Sequence, residues 1–156
     1  MAVIITRANS FTRDVGDGTL DLDLVGTALT VALLTSTATV ANLSAATLFG
    51  STGISANELP TANGYTAGGI LMTAVTWTLA SSITTLDAND VSWTASGGSI
   101  VAKWAVLYAN ATLNGKVKPL VAYVDLDNTS AGTSVTTTTG NALNLVWNAS
   151  GIISLG

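Results

Sequence analysis

Ile100-Val101-Ala102-Lys103-Trp104-Ala105-Val106-Leu107-Tyr108 and, after a polar turn over residues 110–118, Pro119-Leu120-Val121-Ala122-Tyr123-Val124-Asp125-Leu126 decide the fold class of this chain. A period of two places Ile100, Ala102, Trp104, Val106 and Tyr108 on one face of the first segment. The same period turns Leu120, Ala122, Val124 and Leu126 inward in the second. Branched and aromatic side chains pack well on a pleated surface, so both segments read as strands.

The pattern continues in both directions. Downstream, a Thr-rich strand covers residues 133–139. Gly140-Asn141 precedes Leu143, Leu145 and Trp147, and a turn at residues 148–151 leads to Ile152-Ile153-Ser154-Leu155. Upstream, Leu71, Val75, Trp77 and Leu79 share a face, and Asp87-Ala88-Asn89-Asp90 turns the chain into Val91-Ser92-Trp93. Leu20, Leu22 and Leu24 alternate with Asp21 and Asp23, the pattern of a half-buried strand with an acidic face. Leu29-Thr30-Val31-Ala32-Leu33-Leu34 is apolar on both faces, which predicts a central strand. Residues 35–63 are the least regular, with one helical turn expected at Ala45-Ala46-Thr47-Leu48-Phe49, capped by Asn42 or Ser44 and closed by Gly50. Val3-Ile4-Ile5 has no partner nearby in sequence, so residues 1–13 read as an extended N-terminal arm, with an ordinary first strand as the equal alternative. About one residue in six is threonine, and Gly, Asn and Asp clusters interrupt the strands at short intervals. The expectation is one all-β domain over residues 1–156, an antiparallel β-sandwich or jelly-roll-like fold of about eight to ten strands with at most one short helix.

Composition narrows the chemistry. The chain of 156 residues has no cysteine and no histidine, which removes thiol nucleophiles, zinc–thiolate sites and every His-dependent triad. Charged residues make up 9% of the chain, against roughly 25% in an average soluble domain. The five cations, Arg7, Arg13, Lys103, Lys116 and Lys118, are too scattered to track phosphates, and a net charge of -4 opposes nucleic-acid binding. Mean hydropathy is +0.52, yet no run of about 18 apolar residues suggests a membrane span.

Asp87-Ala88-Asn89-Asp90 has oxygen ligands at short spacing but lacks the glycine and distal glutamate of an EF-hand loop, so an Asx-rich turn is the simpler reading. Asp125 and Asp127 alternate onto one face as paired glycosidase carboxylates do. A solvated strand face before a turn at Asn128 is the simpler reading. The four tryptophans, Trp77, Trp93, Trp104 and Trp147, all sit in alternating segments where core packing is the default. No catalytic, cofactor-binding or metal-ligating residue is expected, and the chain reads as a non-enzyme.

Several segments together resemble a known group. Gly64-Tyr65-Thr66-Ala67-Gly68-Gly69 is followed by Leu86-Asp87-Ala88-Asn89-Asp90-Val91-Ser92-Trp93. Ala102-Lys103-Trp104-Ala105-Val106-Leu107-Tyr108, Pro119-Leu120-Val121-Ala122-Tyr123-Val124-Asp125 and Trp147-Asn148-Ala149-Ser150-Gly151-Ile152 come next. With Gly18-Thr19-Leu20-Asp21-Leu22 and Val31-Ala32-Leu33-Leu34-Thr35 upstream, this order is similar to that of small structural proteins of tailed bacteriophages. The resemblance implies a virion component on the capsid surface, similar in role to capsid decoration (cement) proteins. Its partner would be the major capsid protein, with no nucleic acid, membrane or cofactor. A homotrimer follows from the three-fold joints of such lattices, not from residues. A tail or baseplate protein is the rival within the class, and a host-glycan-binding β-module the rival outside it. Contact is expected through the arm and the irregular loop, at Val3, Ile4, Ile5, Phe11, Leu48, Phe49, Ile54 and Leu59.

Overall fold

The structure is a computed structural model and describes residues 4–21, 28–127 and 133–156. The fold is of the all-β class, its described strands paired antiparallel as the alternating sequence predicts, with two short α-helices added. Among the described residues fourteen short strands stand where eight to ten were expected, because several long segments are broken within their length. The apolar run from Ile100 to Tyr108 is one such case. It forms β7 (Ile100–Ala102) and β8 (Trp104–Ala109), with Lys103 between them donating its N–H to the Leu34 carbonyl.

The second half of the chain folds back on itself as one nested ribbon. β5 (Ile83–Asp87) pairs with β14 (Ile153–Leu155), β6 (Val91–Thr94) with β13 (Ala142–Leu145), and β7 with β12 (Val135–Thr137). β8 pairs with β11 (Leu120–Asp125), and at the tip β9 (Thr112–Leu113) meets β10 (Lys116–Val117). Asn114-Gly115 closes the tip with positive φ at both residues, the two-residue turn whose twist matches flanking antiparallel strands. The described ladders group as one five-stranded sheet, one three-stranded sheet and three two-stranded ladders, a grouping that does not by itself trace a jelly roll.

The five-stranded sheet has the order β1 (Ile4–Arg7), β11, β8, β2 (Leu29–Leu34), β3 (Ile70–Leu71). Every residue of β2 and β8 is buried, which accounts for their apolar character on both faces. The N-terminal arm is corrected here. Ile4–Arg7 is an ordinary edge strand, paired Ile4↔Asp125 to Arg7↔Ala122 on this chain's own sheet. It runs into α1 (Phe11–Gly16), whose Phe11 and Asp14 are buried. The expected single helical turn is corrected as well. The second helix, α2 (Val40–Ala45), starts earlier than the sequence suggests. Thr39 is its cap, and Asn42 answers from the third helical position in a capping box.

β3 is only two residues long, so it leaves the outer edge of β2 unpaired beyond Val31. The irregular loop supplies the missing partners. Leu59 N–H donates to the Leu33 carbonyl at 3.0 Å, and Thr35 N–H donates to the Asn57 carbonyl at 2.9 Å. The Tyr65 hydroxyl accepts from Leu33 N–H at 3.1 Å and donates to Glu58 Oε1 at 2.7 Å. Glu58 also accepts from Gly68 N–H, and Tyr108 donates to the Gly68 carbonyl at 2.7 Å. Burial, then Glu58, push the Tyr108 phenol up to about 12, and burial raises Tyr65 further still, so both remain donors. Gly69 makes the close approach possible: its φ is positive, and a Cβ there would collide with the Val31 carbonyl.

Tyr65→Phe keeps the ring but strands the Leu33 N–H and removes one of the two hydrogen bonds that Glu58 Oε1 accepts. It is expected to cost about 1–3 kcal/mol in urea unfolding; an unchanged midpoint would show that the loop does not depend on this hydroxyl.

Candidate docking surface

The residues expected to meet a partner are mostly inside this chain. Phe11 and Ile54 are fully buried, and Phe49 and Leu59 nearly so. Phe49 stacks on Tyr108 with ring centroids 4.2 Å apart and 13° between planes. Leu48 is half-buried and bridges to Pro119. Ile5 is half-buried and packs against the core, and Ile4 takes part through its backbone pairing with Asp125. Val3 lies outside the described residues. Phe11, Phe49, Ile54 and Leu59 therefore hold α1 and the loop to the sheet, and their side chains are not free to dock elsewhere.

The acidic candidates also have structural work. Asp125, read as a solvated strand residue, pairs with buried Lys103 at 2.7 Å, and Asp127 is itself buried and accepts the Thr133 hydroxyl. Asp90 accepts from Trp147 N–H at 2.9 Å, and the Asn89 carbonyl accepts from the Trp147 indole at 3.1 Å. The Asp87–Asp90 turn thus clasps the far strand of the ribbon. Asp14, fully buried, receives Lys116 at 2.7 Å and Arg13 at 2.7 Å, tying α1 to the ribbon tip. Burial alone would raise its carboxyl, but the hydrogen bonds from Lys116 and Arg13 outweigh it and hold the pKa below the ordinary value. Among the described residues no three acidic groups gather as a metal site, and no helix is long and apolar enough to cross a membrane.

Neither described cleft suits a small molecule. One, of about 250 Å³, is lined by Leu59, Pro60, Asn63, Ile100 and Val101; the other, of about 200 Å³, by Ile5, Arg7, Ile152 and Ser154. Both fall below the roughly 300 Å³ at which ligand pockets usually begin. Trp93, Trp104 and Trp147 are buried, and only Trp77 is half-exposed, so no row of aromatic faces is offered to a sugar.

The feature that stands out is a hairpin. β4 (Thr76–Ala80) pairs with β5 from Thr76↔Asp87 to Ala80↔Ile83 and is the last strand of the three-stranded sheet β14-β5-β4. Ser81 and Ser82 form the turn with φ of 50° and 67°. Leu79 is 72% exposed and Ile83 47%. Leu71 is also exposed. Residues 59–86 contain no charged side chain. Natural sheets guard exposed edges with lysine, proline, bulges or covering loops. β4 has no lysine or proline and runs in unbroken register. No family model, curated protein or solved structure matches this chain.

Two substitutions separate the buried set from the exposed one. Phe49→Ala should cost about 3–5 kcal/mol, whereas Leu79→Ser should stay within about 0.5 kcal/mol of the parent protein. Chemical denaturation checks both, and equal losses would contradict the assignment of Phe49 to the core and Leu79 to the surface.

Proposed function

We propose that this chain is a non-enzymatic virion structural protein, a capsid decoration protein that stabilises a phage head by bridging major capsid protein subunits. The observation that carries the assembly reading is the β4–β5 hairpin, free of charge up to Asp87 at its base, with an edge that no described strand covers and Leu79 72% exposed. An exposed apolar edge is a liability on a free monomer and a contact surface in an assembly. The absence of histidine and cysteine supports a mechanical role, as does the engagement of Glu58, Asp14, Asp90 and Asp125 in bonds that hold the fold. The phage placement rests on the ordered resemblance of the Gly64–Gly69, Leu86–Trp93, Ala102–Tyr108, Pro119–Asp125 and Trp147–Ile152 segments.

The mechanism is linkage. A protein that binds only the assembled lattice raises the stability of that lattice by its binding free energy, and many copies multiply a modest contact. Electron cryo-microscopy with peptide mass spectrometry of the particle encoded alongside this chain tests the proposal. Repeated density for the chain against the outer face of the major capsid protein is expected. Peptides found only in tail fractions, or absent from the particle, would overturn it.

A further inference from the structure

We infer that the open edge of β4 is a self-pairing site, at which two copies of this chain join their three-stranded sheets antiparallel about a two-fold axis through Thr78. The inference stands on the geometry of the edge and does not require a phage particle.

The hairpin register fixes which backbone groups are unused. In a two-residue turn of this type, the flanking residues exchange both their hydrogen bonds. Ala80 and Ile83 are that flanking pair, so Ala80, Thr78 and Thr76 direct N–H and C=O toward β5. Trp77 and Leu79 therefore direct theirs outward, to an edge that no described strand covers. The contrast with β2 is direct, since there Leu59, Tyr65 and Asn57 satisfy the equivalent edge.

The exposed strand is self-complementary. With Thr78 opposite its own copy, Trp77 of each chain falls opposite Leu79 of the other. Those two pairs carry the outward hydrogen bonds, so each chain satisfies the edge of its mate. Trp77 and Leu79 share a face, so each exposed leucine gains an aromatic neighbour across the seam, a favourable cross-strand pair. This is the reciprocal pattern of a two-fold interface.

Charge selects the same partner. The chain carries a net charge of -4, so copies repel over much of their surface. Residues 59–86 are free of charge. The nearest acid, Asp87, lies beside Thr76, which in the paired register faces Ala80 of the second copy. No carboxylate is brought against another.

The native chain has no cysteine, which allows a clean test. Thr78→Cys places one thiol at the axis, in a non-hydrogen-bonded pair whose Cα atoms lie about 4.5 Å apart, within disulfide reach. Ala80→Cys places the thiols about four residues out of register, beyond the roughly 7 Å limit. Under mild oxidation, intact mass should show a covalent dimer for Thr78→Cys and monomer for Ala80→Cys. Light scattering of the parent chain should give twice the monomer mass at high concentration, reverting to monomer in Leu79→Lys. Circular dichroism of Leu79→Lys should match the parent, since the side chain is exposed. A trimer mass, equal cross-linking of the two cysteine variants, or a monomeric parent whose Thr78→Cys form does not cross-link would each overturn the inference. Capsid binding with any of these results would leave the decoration role standing and remove the two-fold pairing.

Discussion

The hydrogen bonds of the Tyr65 hydroxyl are the point on which the closed side of this molecule depends. β2 lies at the centre of the core but has only a two-residue neighbour on its outer side. Its backbone beyond Val31 would otherwise be buried without partners, a cost of about 1–3 kcal/mol for each group left unpaired. Tyr65 accepts one of those N–H groups and passes its own proton to Glu58, which in turn holds Gly68. The irregular loop is thus a substitute strand. That role explains why Phe49, Ile54 and Leu59, in a segment of little secondary structure, are buried.

The sequence was informative where one period of side chains meets one environment. Residues 100–108 and 120–126 alternate or are wholly apolar; β8 and β11 became buried strands of the main sheet, and β7 a strand of the ladder with β12. The central position of β2 was legible for the same reason. The first strand was not. Its partner β11 lies more than a hundred residues away, and nothing local distinguishes a strand with a distant mate from a free arm. Lys103 was also opaque: a lysine inside an apolar run reads as a surface tip, yet Asp125 and the Asp127 carbonyl make its burial affordable.

The candidate surface was misread for a related reason. Phe49 and Leu79 are equally apolar in a sequence, and only the packing of the loop over Tyr108 places one inside and the other out. A usable signal existed in the charge pattern. Residues 59–86 carry no charge, and Ala80-Ser81-Ser82-Ile83 is a turn in the middle of a threonine-rich pair of strands. A long uncharged hairpin without proline or lysine is what an uncapped edge looks like before folding is known.

The structure therefore treats its edges in two ways. The edge of β2 is closed from within by a tyrosine and a loop, and the edge of β4 is left for another chain. Hydrogen exchange of single amides within the β4 strand tests that difference most directly, because alternate residues report opposite sides. The Thr78 and Ala80 amides face β5 and should be protected in dilute and assembled protein alike. The Trp77 and Leu79 amides should exchange freely in the dilute chain and slow by about tenfold or more on assembly. Equal exchange of Trp77 and Leu79 in the two states would contradict the account.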